Sequence, residues 1–257
     1  MDNRLGRKAD GTDQEVEGRM FLASDLDSFL DIADAARQQE KEIEKKMKKV
    51  LKRFAIYNEW LVGVKGVGTI ASAKIISEID IHIATTVSKI WQYGGMNPSL
   101  IRGKKRVQTK NPETYQPKSG TVISRKEDHV IVLSDEMIRG DKLTAGFISP
   151  FNKNLKTALL GVLADGFIKA KAPYALDYYY PYKERLEQSD VITNHRKGGK
   201  VEEMAWKDVT KGHRDMAAKR YMIKMFIKDL YAVWRGIEGL DVRVPYQEAY
   251  LGHKHTG

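Results

Sequence analysis

Residues 63–79 read GVKGVGTIASAKIISEI, a stretch whose backbone could bind a phosphate group. Gly66 and Gly68 are expected to adopt positive φ, which lets the chain turn sharply and leaves N–H groups pointing outward. A helix is predicted to begin at about Thr69, and the first turn of a helix has unpaired N–H groups that attract anions. The residues predicted to contact the phosphate are Lys65, Gly66, Gly68, Thr69 and Lys74.

Two other glycine-rich phosphate sites fit this stretch poorly. A P-loop needs Gly-Lys-Ser/Thr after its glycines, and that triplet is absent. A dinucleotide fingerprint follows a strand, whereas the residues before Gly63 have helical spacing. The stretch instead resembles a helix-hairpin-helix, which implies contact with a nucleic-acid backbone without reading the bases. A tight turn between two helices with no ligand is the alternative.

Two further stretches concentrate positive charge and carry interspersed aromatic residues. Residues 99–126 contain eight Lys and Arg against one acidic residue, and residues 193–220 contain eight against four. Cations combined with rings that can stack suit nucleic acid, although a solvated surface is the plainer alternative. The candidate contacts in these stretches are Arg102, Lys104, Lys105, Arg106, Arg196, Lys197, His213, Arg214 and Arg220.

Catalytic chemistry has one weak candidate in the sequence. Ser99 follows GGMNP and could act as a nucleophile, with Arg102 and His213 near a scissile phosphate. The six histidines show no metal-ligand spacing and cysteine is absent, so no metal site and no cofactor are predicted. Mg²⁺ would be needed only if the chain cleaves DNA.

Composition favours a polyanionic partner. The 257 residues carry a net charge of +10, and the first 36 residues hold a balance of −5, which leaves +15 for the remainder. No apolar run approaches the roughly 20 residues of a membrane span, and the N-terminus lacks a signal-peptide core. We therefore expect an intracellular protein of the cytoplasm, nucleoid-associated or in the cytoplasm of a host cell, with no membrane partner.

Periodicity predicts a mainly α fold with a small β-hairpin insertion. The hairpin turn is expected at residues 126–128, between two β-branched runs that form the only convincing strand pair. The predicted boundaries are a flexible acidic arm at 1–22, a long helix at 23–62, a helix-hairpin-helix at 63–98, a basic loop and β-hairpin insertion at 99–145, a helical domain at 146–240 and a tail at 241–257.

The long predicted helix carries a heptad-like seam. Its apolar residues are Ile43, Met47, Val50, Phe54, Tyr57 and Leu61. Such a seam pairs with another helix, either in the same chain or in a second copy that associates through residues 40–61.

A wider resemblance follows from four segments in order: LVGVKGVGTIASAKIISEI, SKIWQYGGMNPS, NLKTALLGVLADGF and KGHRDMAAKRYMIKMFIKDLYAVWR. Together they resemble the C-terminal domain of insertion-sequence transposases that pair a RuvC-like domain with a serine-bearing domain, including the bridge-RNA-guided recombinases. The resemblance covers roughly residues 28–240. It implies a mobile-element or phage protein of DNA recombination, with a coiled coil before the hairpin, and it leaves RNA open as a second partner.

Two departures from that family bear on catalysis. Too few residues precede the long helix to build the RuvC-like domain with its metal-binding carboxylates. Where the family has its Ser-Gly pair, this chain has Arg102 before Gly103. The sequence therefore predicts a DNA-binding protein that grips the sugar-phosphate backbone. The alternative is an active DNA-cleaving or strand-transfer enzyme that uses a serine nucleophile or a partner's catalytic domain.

Overall fold

The computed structural model describes residues 23–197 and 200–244, with side chains for 27–195 and 202–244. The predicted arm at 1–22 lies outside these residues, as does 245–257 of the predicted tail. The described residues form two compact units that divide between Arg53 and Phe54. The broad fold class is confirmed, because the chain is mainly helical with a long N-terminal helix and a small antiparallel sheet.

The first unit consists of helix α1, Ala23–Leu51. The prediction of one helix to residue 62 is wrong, because Phe54 is extended (φ −103°, ψ 124°) and a separate helix α2, Ala55–Glu59, follows it. The physical reason is tertiary packing: Tyr57 and Leu61 are buried in the second unit and do not continue a heptad seam. On α1 the apolar side chains of Ile43 and Val50 are exposed, and self-association through them stays a prediction.

The second unit contains the other helices. They are α3 Thr69–Glu78, α4 Val87–Tyr93, α5 Lys153–Thr157, α6 Ala164–Lys169, α7 Tyr180–Glu187 and α8 Lys211–Ile237. The π-helical segments Ala158–Leu163 and Ala175–Tyr179 join α5 to α6 and precede α7, and short 3-10 turns form at Leu61–Gly63 and Trp206–Asp208. Asn152 caps α5, its Oδ1 accepting from the Leu155 N–H at 3.0 Å. No helix among the described residues is long and apolar enough to cross a membrane.

Helix α8 is the centre of the core, in agreement with its strong apolar periodicity. Phe226 is fully buried and meets the rings of Trp60, Phe167 and Tyr174 at centroid distances of 5.6, 5.3 and 5.5 Å. These aromatic contacts join α8 to the residue after α2, to α6 itself and to the segment after α6. Further along α8, the Tyr231 hydroxyl donates to the Thr85 carbonyl at 2.9 Å.

The β structure is larger than predicted. The hairpin β2 Thr121–Arg125 and β3 His129–Arg139 is confirmed with its turn at 126–128, and β1 Leu100–Gln108 pairs with β3 to give the order β1-β3-β2. The prediction of a loop from residue 99 is wrong for residues 100–108, and the predicted helical domain at 146–240 contains a pair of strands that was not predicted. β1 takes up this basic stretch, and β4 Ile192–Lys197 pairs with β5 Lys200–Ala205. β1, β4 and β5 contain many polar and charged residues, so their sequences do not predict strands. They form because backbone pairing with another strand outweighs a weak local β preference.

Candidate nucleic-acid interface

The glycine-rich turn lies between α2 and α3. The Val67 N–H donates to the Val64 carbonyl at 3.0 Å, and Gly66 has φ +92°, as predicted. The predicted positive φ of Gly68 is wrong: its φ is −86° with ψ 173°. One left-handed residue completes the turn, which leaves Gly68 extended as the N-cap of α3.

The start of α3 is available to an anion. Helix α3 begins at Thr69, as predicted, and among the described residues no side chain caps it. Its first N–H groups therefore keep the partial positive charge of an uncapped helix end. Gly68 and Lys65 are exposed, and a Cβ at Gly68 would meet nothing within 4 Å. Thr69 is buried, so its side chain is not exposed for the predicted contact with a phosphate.

A shallow groove of about 220 Å³ runs beside α3. Its lining comes from α3 on one side and from α5 and the following π-helical segment on the other. The lining residues are Ile70, Ala71, Lys74, Asn154, Thr157, Ala158 and Val162. Lys74 is exposed and is the cationic residue of this lining, so a second positive charge lies about one helical turn beyond the start of α3.

Strand β1 displays part of the first basic stretch on one face of the sheet. Arg102, Lys104 and Arg106 alternate with less exposed residues and share the exposed face. Lys105 points to the opposite face, where its ammonium pairs with Glu136 at 2.5 Å and lies 4.6 Å from the Phe147 ring. Three of the four predicted basic contacts are thus brought together, and Lys105 is not among them.

Arg102 is occupied within the chain. Arg102 of β1 pairs with Met137 of β3, and Lys104 pairs with Leu133. An interval of four residues on β3 therefore lies opposite an interval of two residues on β1. Arg102 stabilises this irregular segment, because its Nε donates to the Ser134 carbonyl at 3.0 Å and its Nη2 pairs with Asp135 at 2.6 Å. The Lys104 side chain makes no hydrogen bond or ion pair with any residue that the structure describes, whereas its backbone carbonyl accepts from the Ile148 N–H at 2.7 Å. A hydrogen bond with His129 lowers the pKa of the Asp128 carboxyl, and the charge of Arg106 contributes to the same shift.

The second basic stretch is mostly used to hold the fold. Arg214 is buried, and its Nη1 donates to the carbonyls of Trp206, Lys207 and Val209, where the chain enters α8. A guanidinium held in this way replaces lost backbone hydrogen bonds and does not reach a surface ligand. Arg196 and Lys197 belong to β4, but their side chains lie outside the described part. Arg220 is partly exposed on α8.

His213 is exposed and lies at the edge of an aromatic cluster with the buried His195 and with Trp206. Its ring lies 5.0 Å from the ring of His195 and 5.9 Å from Trp206. Burial lowers the pKa of both histidines, and for His213 the charges of His195 and Arg220 lower it further. Both rings are therefore neutral at physiological pH.

These two histidines predict a loss of stability in mild acid. Because the folded pKa values lie below the unfolded value of 6.5, the unfolded chain binds more protons in the interval between them. The contribution of these histidines to stability is complete above about pH 6.5 and decreases as pH falls towards the folded pKa values. The loss is at most about 1.4 kcal/mol per pH unit for the buried His195, and it is smaller for the exposed His213, whose charge is screened by solvent. Urea unfolding at pH 7.5 and 5.5 measures this loss.

Replacing both rings gives the control for that measurement. The double variant His195→Phe/His213→Phe keeps aromatic packing and should lose less stability between the two pH values than the parent. His82→Gln, at an exposed position, should behave as the parent does. An equal acid loss in the parent and the double variant would show that other groups cause it.

Ser99, the weak nucleophile candidate, is exposed at the entry to β1. Its N–H donates to Asn97 Oδ1 at 3.2 Å, and its carbonyl accepts from the Gly140 N–H at 2.9 Å. No described titratable side chain hydrogen-bonds to its hydroxyl, and Arg102 is directed to Ser134 and Asp135. In the described part of the chain, no three His, Asp or Glu side chains form a group that could hold a metal ion.

The candidate interface therefore consists of the α3 start with Lys65 and Lys74, together with Lys104 and Arg106 on β1. A scan against protein-family models, a search of curated proteins and a search of solved structures each found nothing that matches this chain.

Proposed function

We propose that this chain is a DNA-binding protein that grips the sugar-phosphate backbone. The observation that carries the proposal is the start of α3: an uncapped helix end beside an exposed glycine, with the exposed Lys65 preceding it and the exposed Lys74 following it. Backbone N–H groups and a helix dipole attract a phosphate oxygen, and lysines add charge without demanding a fixed geometry.

Charge elsewhere supports a polyanionic partner. The net charge is +10, and β1 presents Lys104 and Arg106 on an exposed sheet face. Each cation that neutralises a phosphate releases counterions, which makes affinity depend on salt. The contacts are to phosphates, so binding is expected to be independent of base sequence.

The resemblance noted in the sequence is consistent with this proposal. A helix-hairpin-helix within a transposase-like C-terminal domain would make the same backbone contacts and would place the protein in DNA recombination, in the cytoplasm or nucleoid. Phosphate contacts alone do not discriminate between DNA and RNA, so an RNA partner fits the same surface. Ser99 has no hydrogen-bonded base in the described structure, and we therefore propose binding and not cleavage.

The proposal is tested by the salt dependence of DNA binding. Affinity of the parent for duplexes of unrelated sequence should fall steeply with salt, by roughly 0.9 log unit per contacted phosphate for each tenfold rise. Lys65→Ala should weaken binding to every duplex by a similar factor and lower the salt slope by about one contact. Fluorescence anisotropy titrations from low to moderate salt measure both quantities.

A matched control is Lys49→Ala, which removes one exposed lysine from α1 in the first unit. This variant should retain the affinity and the slope of the parent. Absence of DNA binding at low salt, or binding by Lys65→Ala that equals the parent at every salt concentration, would refute the proposed contact.

A further inference from the structure

A second groove, of about 370 Å³, lies at the end of α3 that is opposite to the glycine-rich turn. Its walls come from the last residue of α3, from the loop that follows and from α4. The lining residues are Glu78, Ile79, Asp80, Ile83, Ala84, Lys89, Ile90 and Tyr93. The Ile83 side chain is 70% exposed and Tyr93 is exposed as well, so apolar surface faces water here. Covering such surface is favourable in free energy.

After α8 the chain returns to one wall of this groove. Arg235, near the end of α8, is buried, and its Nε donates to the Asp241 carbonyl at 2.6 Å. Its Nη1 donates to the carbonyls of Ile81 at 2.9 Å and Ala84 at 3.2 Å. One guanidinium therefore holds the residues after α8 against the loop that lines the groove.

A tyrosine of α8 fixes the same junction. The Tyr231 hydroxyl accepts from the Arg243 N–H at 3.3 Å and donates to the Thr85 carbonyl at 2.9 Å. Thr85 directly follows Ala84 of the groove lining. Val244, where the described chain ends, is thus next to a residue that is tied to this loop, and residues 245–257 continue from that point.

The continuing residues have side chains that suit an apolar groove. They read PYQEAYLGHKHTG, in which Tyr246, Tyr250 and Leu251 are large and apolar. A tyrosine buries its ring and keeps its hydroxyl at the water boundary, which fits a shallow, open groove.

Charge favours the same segment. Lys89 is the cationic residue of the lining, and Glu78 and Asp80 are its acidic residues. The segment carries Glu248 between its two tyrosines and Lys254 beyond Leu251. Exposed ion pairs add little affinity, but opposite charges on the two sides favour this pairing over others.

We infer that residues 246–251 of this chain bind in the groove formed by residues 78–93 and cover Ile83. The tether decides the occupant, because Tyr250 is six residues beyond Val244 and stays within roughly 20 Å of it even when extended. A short tether gives a millimolar effective concentration, so a weak interaction suffices. The groove and the start of α3 are at opposite ends of the helix, and the inference does not depend on the proposed DNA contact.

Disulfide formation in the full chain tests this contact. The chain has no cysteine, so two introduced cysteines report on each other alone. Ile83→Cys/Tyr250→Cys should form an intrachain disulfide under mild oxidation, measured by the loss of free thiol and by non-reducing electrophoresis. Val162→Cys/Tyr250→Cys is the matched control, because Val162 is an exposed apolar residue of the groove beside α5. This control should oxidise about tenfold more slowly or less, since the bound segment is held away from Val162.

A double-mutant cycle tests the contact without cysteines. Ile83→Ala and Tyr250→Ala should each lower the melting temperature by about 2–4 °C. The double variant should lose less than the sum of the two, because residues in contact do not contribute independently. The matched cycle replaces Ile83→Ala by Val62→Ala, at a position that is 60% exposed in the same unit, and its two changes should be additive.

Three results would overturn the inference. The first is equal oxidation rates for the two cysteine pairs. The second is a Tyr250→Ala variant that melts at the parent's temperature. The third is a disulfide-linked dimer in place of the intrachain disulfide, which would show that the groove binds the segment of a second copy.

Discussion

Replacing Gly66 with serine should destabilise the second unit by about 2–5 kcal/mol. A side chain at φ +92° costs about 1–2 kcal/mol, and forcing extra atoms into a packed site costs about 1–3 kcal/mol more. The crowding is severe here, because a Cβ would lie 2.8 Å from the Phe167 ring and 3.0 Å from the Phe167 Cα. Phe167 is itself fully buried, so it has little room to move. Urea or thermal unfolding measures the loss.

Gly68→Ser is the matched control, since it makes the same change two residues later. Gly68 has φ −86° and open space around it, and serine is a preferred N-cap residue. This variant should be as stable as the parent or slightly more stable. A Gly66→Ser variant with parental stability would mean that the turn and its packing on Phe167 are not as described.

Replacing Gly68 with aspartate should reduce DNA affinity by about tenfold to a hundredfold while the protein stays folded. Aspartate at an N-cap accepts hydrogen bonds from the first helical N–H groups and interacts favourably with the helix dipole, so stability should rise by about 0.5–1 kcal/mol. The same carboxylate occupies the groups proposed to bind phosphate and repels the phosphate charge. The expected affinity loss corresponds to one or two charge-assisted hydrogen bonds.

Comparison with Gly68→Ser isolates the effect of the aspartate charge on DNA affinity. Serine caps the same N–H groups without a negative charge and should weaken DNA binding less than aspartate does. Anisotropy titrations at fixed salt, run beside unfolding curves, separate binding from folding. If Gly68→Asp binds DNA like the parent, the α3 start is not the contact, whatever the net charge contributes elsewhere.

Local sequence patterns determined several elements. The helical apolar period predicted the domain at 146–240, which ends with α8, Lys211–Ile237, and Asn152 is an N-cap type of residue at the start of α5. The β-branched runs around residues 126–128 marked β2 and β3. Each of these rests on interactions between residues a few positions apart, namely helical side-chain faces, a capping hydrogen bond and a tight turn. The glycine-rich turn and the start of α3 at Thr69 were predictable for the same reason.

The tertiary structure alone decided which basic side chains remain available to bind a ligand. Lys104 and Arg102 look equivalent in sequence, but Arg102 is bound to Ser134 and Asp135, more than 30 residues away. Arg214 looks like a surface cation, yet it is buried against backbone carbonyls. Sequence supplies the charge of a side chain, whereas its partners come from segments that only the folded chain brings together.

The surroundings of Asp141 show the same limit. This buried carboxylate is bound by Arg139 at the end of β3, whereas Arg220, 3.9 Å away, comes from α8. Gly66 is a related case, because its sequence allowed a turn but only the packing of Phe167 makes glycine necessary there. Interactions between residues close in sequence determine the helices and turns. Which side chains meet at a site depends on contacts between distant segments, and a single sequence does not state which segments those are.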